Sequence, residues 1–216
     1  AFCLGTFADE RPEVRRAGWV YLIASHIGIA ALFILFGLLY RNAGGSFDFD
    51  RFARLHEWAP GAAAACLLLA FFGFGTKAGL WPLHIWLPDA HPAAPSHVSA
   101  VMSGVMIKMG IYGLLRTLTF LGPPAIWWGE FLLGIGIVSG LLGVLNALAQ
   151  HDLKRLLAYH SVENMGIIAM GLGLGLIGQA RGDSALAVLG YSGALLHVLN
   201  HGLFKSLLFE LGTDDG

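Results

Sequence analysis

The sequence predicts an all-α fold: a polytopic bundle of transmembrane helices, one of them broken near Lys77–Pro88. Three observations predict it. Only 12% of the 216 residues are charged and 56% are hydrophobic, whereas a soluble domain carries about 25% charged residues. Six apolar stretches alternate with polar links, each near the ~20 residues a helix needs to cross a bilayer. Glycine is frequent inside those stretches, with Gly 30 in the chain, as close helix packing in lipid favours. Mean hydropathy is +0.68.

In chain order, "AFCLGTFADE" reads as the tail of an earlier helix, with no signal peptide and no initiating Met. "ELGTDDG" ends as abruptly, so residues 1–216 are read as one transmembrane unit cut from a longer membrane protein. The spans run roughly 17–40, 60–81, 97–121, 126–149, 161–179 and 185–211. The link after the first span contains "SFDFDRF", whose alternation reads as a short surface hairpin. The link "HDLKRLLAYH" is amphipathic and is expected to lie along the membrane surface. On alternate links, Arg11, Arg15, Arg16, Lys154 and Arg155 fall on one side, and Arg41, Arg51, Arg54, Arg116 and Arg181 on the other. The tighter clusters make the first side the cytoplasmic choice.

The formal charge of -1 argues against a nucleic-acid partner. Cys3 and Cys66 form no CxxC pair and read as buried thiols, with no disulfide or metal framework.

The cations are segregated. Every arginine lies in a link or at a span end, while Lys77, Lys108 and Lys205 lie inside apolar spans. A lysine at mid-membrane depth costs roughly 2.5–3.5 kcal/mol on insertion scales. Lysine, unlike arginine, gives up its proton when desolvated. Three such residues therefore point to groups that take and release protons; the alternative is snorkelling, with each ammonium reaching the interface.

Around the first of them, "KAGLWPLHIWLPDAHPAAP" holds four of the eight prolines. Pro82 and Pro88 are expected to break the helix after Lys77, leaving Lys77, His84, Asp89 and His91 around one hydrated pocket. The plain alternative is an extramembrane loop with Lys77 at its rim. In "LLHVLNHGLFKSLLFEL", His197, His201 and Lys205 recur at i, i+4 and i+8, on one helix face. Histidine titrates near neutrality, so this ladder could pass protons. Two histidines at i, i+4 also suit zinc, but the glutamate of an HExxH site is absent. A haem held by His26, His160, His197 or His201, or histidines satisfied by their neighbours, are the other readings. "AYHSVENMGII" adds His160 and Glu163 as accessory candidates.

The stretches "KAGLWPLHIWLPDAHPAAPSHVSAVMSGVMIKMGIYGLLR", "HDLKRLLAYHSVENMGII" and "LLHVLNHGLFKSLLF" resemble, in this order, the antiporter-like membrane subunits of respiratory complex I and its relatives. "APSHVSA" and "HSVENMGI" resemble most closely the large membrane subunit of hydrogenase-4 and formate hydrogenlyase complexes. The resemblance implies a partial chain of a roughly fourteen-helix fold, running from the end of the fifth helix to the eleventh. It matches Lys77 to the lysine of the broken seventh helix, Lys108 to that of the eighth, and His197, His201 and Lys205 to the eleventh. It implies a membrane-arm subunit of a redox-driven pump for protons or sodium, in the inner (cytoplasmic) membrane. Its partners would be other membrane subunits and a peripheral arm with iron–sulfur or nickel–iron centres. No catalysis on a small substrate and no cofactor are expected in this chain. A complex I subunit, a stand-alone cation/proton antiporter subunit, a membrane cytochrome and a structural spacer are the rival readings.

Overall fold

The computed structural model describes residues 10–55, 58 and 61–212. Cys3, the "AFCLGTFAD" segment and the terminal "TDDG" lie outside the described residues, as does the start of the span expected at 60.

Helix α1 (Pro12–Asn42) begins with Pro12 in its first turn, where no amide partner is needed. Glu13 in the first turn and Arg41 in the last complement the helix dipole. It takes in much of the "ADERPEVRRAG" link, five residues before the expected start. Its 31 residues span about 46 Å, longer than the ~30 Å hydrocarbon core. A single short turn, α2 (Phe49–Phe52), follows, capped by Asp48, whose carboxylate accepts from the Asp50 amide at 3.1 Å. The expected hairpin is therefore a helical turn: the Asp48 side chain satisfies the amide that strand pairing would have used, and no strand is formed among the described residues.

Helix α3 (Ala62–Ala78) carries Lys77 in its last turn and stops at Gly79. Gly79 is left-handed, φ 75°, and its amide returns to the Gly75 and Thr76 carbonyls at 2.9 and 3.2 Å. The break after Lys77 is thus made by a glycine C-cap, not by Pro82 or Pro88 as expected. Pro88 instead sits in the first turn of α4 (Leu87–Ala93). Trp86 Nε1 donates to the Thr76 carbonyl at 2.7 Å, and the Trp81 amide donates to Ser139 Oγ at 2.9 Å. These bonds satisfy part of the irregular backbone without bulk water.

After an extended Ala94, α5 (Ser96–Val101) runs through a π turn at Met102–Met106 into α6 (Ile107–Leu118). Helix α7 (Ile126–Leu148) and helix α8 (Leu153–Arg181) pack along a glycine seam. A Cβ on Gly136 would meet the Gly166 carbonyl at 2.7 Å, so the two backbones touch where glycine alone fits. Helix α9 (Ser184–Gly212) packs on α8 and against α5 and the π turn.

"HDLKRLLAYH" does not lie apart along the surface. From Leu153 onward it is the opening of α8, with Asp152 as N-cap accepting from the Arg155 amide at 2.7 Å. No glycine or proline interrupts Leu153–Ser161, and Lys154 and Arg155 find partners on the broken segment. Among the described residues, five helices are long and apolar enough to cross a membrane: Pro12–Asn42, Ser96–Leu118, Ile126–Leu148, Leu153–Arg181 and Ser184–Leu211. The expected span at 60–81 is the shorter apolar helix Ala62–Ala78.

Candidate functional site

The core of the site lies where α9 meets α8 and the π turn. Lys205 is 1% exposed and Lys108 8%, so neither ammonium snorkels within the described bundle. Lys205 Nζ donates to the Leu157 carbonyl of α8 at 2.6 Å. Lys108 Nζ donates to the Ser103 carbonyl inside the π turn. Widening a helix by one residue redirects carbonyls that an α-helix would use for itself, and here one of them holds a buried cation.

The two residues whose carbonyls hold the lysines are tied together through serine hydroxyls. Ser103 Oγ and Ser161 Oγ lie 2.9 Å apart, and Ser161 Oγ donates to the same Leu157 carbonyl at 3.0 Å. The run Lys108–Ser103–Ser161–Leu157–Lys205 therefore crosses from the π turn to α8 and on to α9. Ser161 was missed from the sequence, because nothing local marks a serine as facing another helix.

The ladder on α9 is built as its spacing predicts. His197 and His201 stack with ring centroids 6.3 Å apart and planes 9° from parallel. His201 is fully buried, and neither ring nitrogen has a partner within the described residues. Asn164 on α8 joins the ladder: its Oδ1 accepts from His197 Nε2 at 2.8 Å while its Nδ2 donates to the His160 carbonyl at 2.6 Å. One turn away, His160 Nδ1 and Glu163 Oε2 are 2.5 Å apart.

The structure does not gather Lys77, His84, Asp89 and His91 into one pocket. Lys77 Nζ donates to Tyr21 Oη of α1 at 3.3 Å and lines a cavity of about 470 Å³ with Ser25, Trp86, Tyr112 and Arg116. Asp89 accepts from Arg155 Nη2 at 2.5 Å, beside a second cavity, of about 530 Å³, shared with Arg11, Arg16 and Asp152. His91 turns inward, stacked on Phe209 of α9 at 4.6 Å. His84 is half-buried, with Nδ1 unpartnered within the described residues. The broken segment thus faces several parts of the bundle, because the seven-residue α4 points its Asp89 and His91 side chains in different directions. The cavity around Arg11, Arg16 and Arg155 does gather three arginines assigned to one membrane side. Among the described residues no group of three or more His, Cys, Asp and Glu side chains is placed to hold a metal ion.

A helical bundle with a broken helix and ammonium groups closed inside it defines a class of multi-pass membrane proteins that keep ionisable side chains at membrane depth for a purpose. Residues 1–213 match the family model described as "NADH:quinone oxidoreductase/Mrp antiporter, TM", and the chain belongs to that antiporter-like family. It is 53% identical to hydrogenase-4 component B of Escherichia coli (strain K12) over 197 residues, which cover 89% of this chain and 29% of that protein. It is 50% identical to formate hydrogenlyase subunit 3 of the same organism over 143 residues, or 66% of this chain and 23% of the other. The chain therefore spans less than a third of the length of these relatives. Among solved structures, the membrane-bound sulfane sulfur reductase, an archaeal respiratory membrane complex, matches 97% of this chain with a TM-score of 0.80 at 26% identity, over 41% of its own chain. The Mrp complex from Dietzia sp. DQ12-45-1b matches 96% with a TM-score of 0.78 at 29% identity, over 22% of its own chain. The family and the partial, all-helical fold are those the motifs implied.

Proposed function

We propose that this chain is the central part of a membrane subunit that relays protons through Lys77, Lys108, His197, His201 and Lys205 in a redox-driven complex of the hydrogenase-4 or formate hydrogenlyase type. One observation carries the reading. Among the described residues Lys108 and Lys205 are both buried, each bonds one neutral backbone carbonyl, and the residues bearing those carbonyls, Ser103 and Leu157, are tied together by the Ser161 hydroxyl. An ammonium held by a backbone carbonyl, with no carboxylate bonded to it among the described residues, lacks the counter-charge that would fix its proton in place. A purely structural cation would be paired.

In this mechanism a proton enters and leaves each lysine as neighbouring charges shift. Lys77, half-buried at the Tyr21 cavity, lies apart from the Lys108–Lys205 core. Lys108 and Lys205 hold the middle, and His201 lies one turn before Lys205 on the same helix. His84, Asp89, His91, His160 and Glu163 are accessory groups that link this core to its surroundings. Electron transfer belongs to other subunits of the complex, in a peripheral arm with iron–sulfur or nickel–iron centres, and the membrane is the inner, cytoplasmic one. No cofactor is assigned to this chain. The fold likeness to the Mrp complex supports a second reading, a subunit of a multisubunit cation/proton antiporter.

The test uses the full-length subunit in its assembled complex in sealed vesicles. Lys108→Ala and Lys205→Ala should each abolish redox-driven proton uptake while leaving assembly and electron transfer in place. Uptake that survives both substitutions overturns the relay. Cation-dependent proton exchange without a redox partner would favour the antiporter reading.

A further inference from the structure

Asn164 is the α8 residue whose side chain meets a side chain of the α9 ladder, that of His197. Its amide has a fixed sense. Nδ2 lies 2.6 Å from the His160 carbonyl, which accepts only, so the nitrogen must face it. Oδ1 is then turned to His197 Nε2 at 2.8 Å, and because this oxygen has no proton, the ring nitrogen must be the donor. A backbone carbonyl on α8 therefore dictates, through one amide, which nitrogen of a histidine on α9 carries the proton. Asn164 is itself 8% exposed, so water competes poorly for either bond.

We propose that Asn164 is a positioning residue that locks His197 as the Nε2–H tautomer and so makes His197 a proton store at the end of the file, not a conductor through it. The inference rests on the relay reading for its function, though not for its geometry. A proton arriving at His197 bonds to the free lone pair of Nδ1 and gives an imidazolium still tied to Asn164 through Nε2–H. To pass onward the ring would have to surrender the Nε2 proton to Oδ1. An amide oxygen is far too weak a base to take it, so the bond to Nδ1 breaks and the proton returns the way it came. Glu163 and His160 lie on the α8 side of this block, paired with each other at 2.5 Å. His201 lies on the other side and keeps both ring nitrogens free of protein partners among the described residues. The two stacked histidines thus have different duties: His201 can take a proton on one nitrogen and release it from the other, and His197 cannot.

The test is the ¹⁵N spectrum of the full-length subunit, labelled at histidine and reconstituted in its complex. The His197 signals are assigned by their loss in His197→Gln. Where the ring is neutral, it should carry its proton on Nε2, with Nδ1 bare. Asn164→Ala should release the preference, shifting the tautomer ratio by about fivefold or more. Asn164→Asp, which cannot donate to the His160 carbonyl and adds a negative charge, should shift His197 towards the doubly protonated ring. A neutral His197 protonated on Nδ1 in the unaltered protein overturns the proposal, and so does an unchanged ratio in Asn164→Ala. If that variant fails to assemble, the unaltered spectrum alone decides. The spectrum does not depend on ion movement. Intact pumping in the lysine variants would sink the relay and leave the tautomer assignment standing, and a wrong tautomer would do the reverse.

Discussion

Arg155, in the first turn of α8, donates to Asp89 of the broken segment at 2.5 Å. Next to it, Lys154 Nζ donates to the Ala94 carbonyl at 3.2 Å, so two successive residues hold both ends of α4. The Arg155–Asp89 side chains are 46% and 28% exposed, and a solvent-screened pair in that setting contributes at most about 1 kcal/mol. Asp89→Asn and Arg155→Gln should each lower the melting point of the detergent-purified full-length protein only slightly. The double variant should lose little more than either single one. Strictly additive losses would mean that the pair does not clamp the segment.

Lysine and arginine should not be exchangeable inside this bundle. Lys108→Arg and Lys205→Arg keep the charge but put in its place a guanidinium that does not release its proton. If the ammonium groups titrate, both variants should pump no better than the alanine forms, at least about tenfold below the unaltered complex. The readout is proton uptake per electron transferred. Near-normal pumping with arginine at either position would mean that a fixed positive charge is sufficient there.

Five of the six expected spans were legible because hydropathy is a local property, and the lysine–arginine segregation was legible because it needs only the same windows. The ladder on α9 was legible because i, i+4 spacing fixes which side chains of one helix are neighbours. What could not be read was each contact between helices. Ser161, Asn164 and Tyr21 are ordinary residues whose partners, Ser103, His197 and Lys77, lie 58, 33 and 56 positions away. Their meeting depends on how closely glycine faces let the backbones approach. The "SFDFDRF" and "HDLKRLLAYH" segments were misread for a related reason. Alternation and amphipathicity describe a segment's faces, whereas Asp48 and Asp152, as N-caps, determined where helices begin.

The α7–α8 seam gives a direct test of that packing. Gly166 faces Gly136 so closely that a Cβ there would lie 2.6 Å from the Gly136 carbonyl and 2.6 Å from the Gly140 amide nitrogen. Gly166→Leu must push the helices apart, at a cost of about 1–3 kcal/mol or more, and should displace Glu163 and Asn164 with them. Gly134, on α7, has nothing within 4 Å of its would-be Cβ, and Gly134→Ala should be neutral or stabilise by up to about 1 kcal/mol. Thermal unfolding in detergent compares them. Equal effects from the two would show that the seam is not tightly packed.

His201 separates stability from function most sharply. Its ring is fully buried, edge-on to Phe204 at 5.2 Å and stacked with His197, and no protein group among the described residues bonds either nitrogen. Burying a polar group without a protein partner costs about 1–3 kcal/mol, so the position is poor for folding alone. His201→Phe keeps an aromatic ring of similar breadth and removes both nitrogens. It should therefore leave the melting point unchanged or raise it, while redox-driven proton uptake falls by at least about tenfold. A histidine kept for packing would give the opposite result, a less stable protein that still pumps.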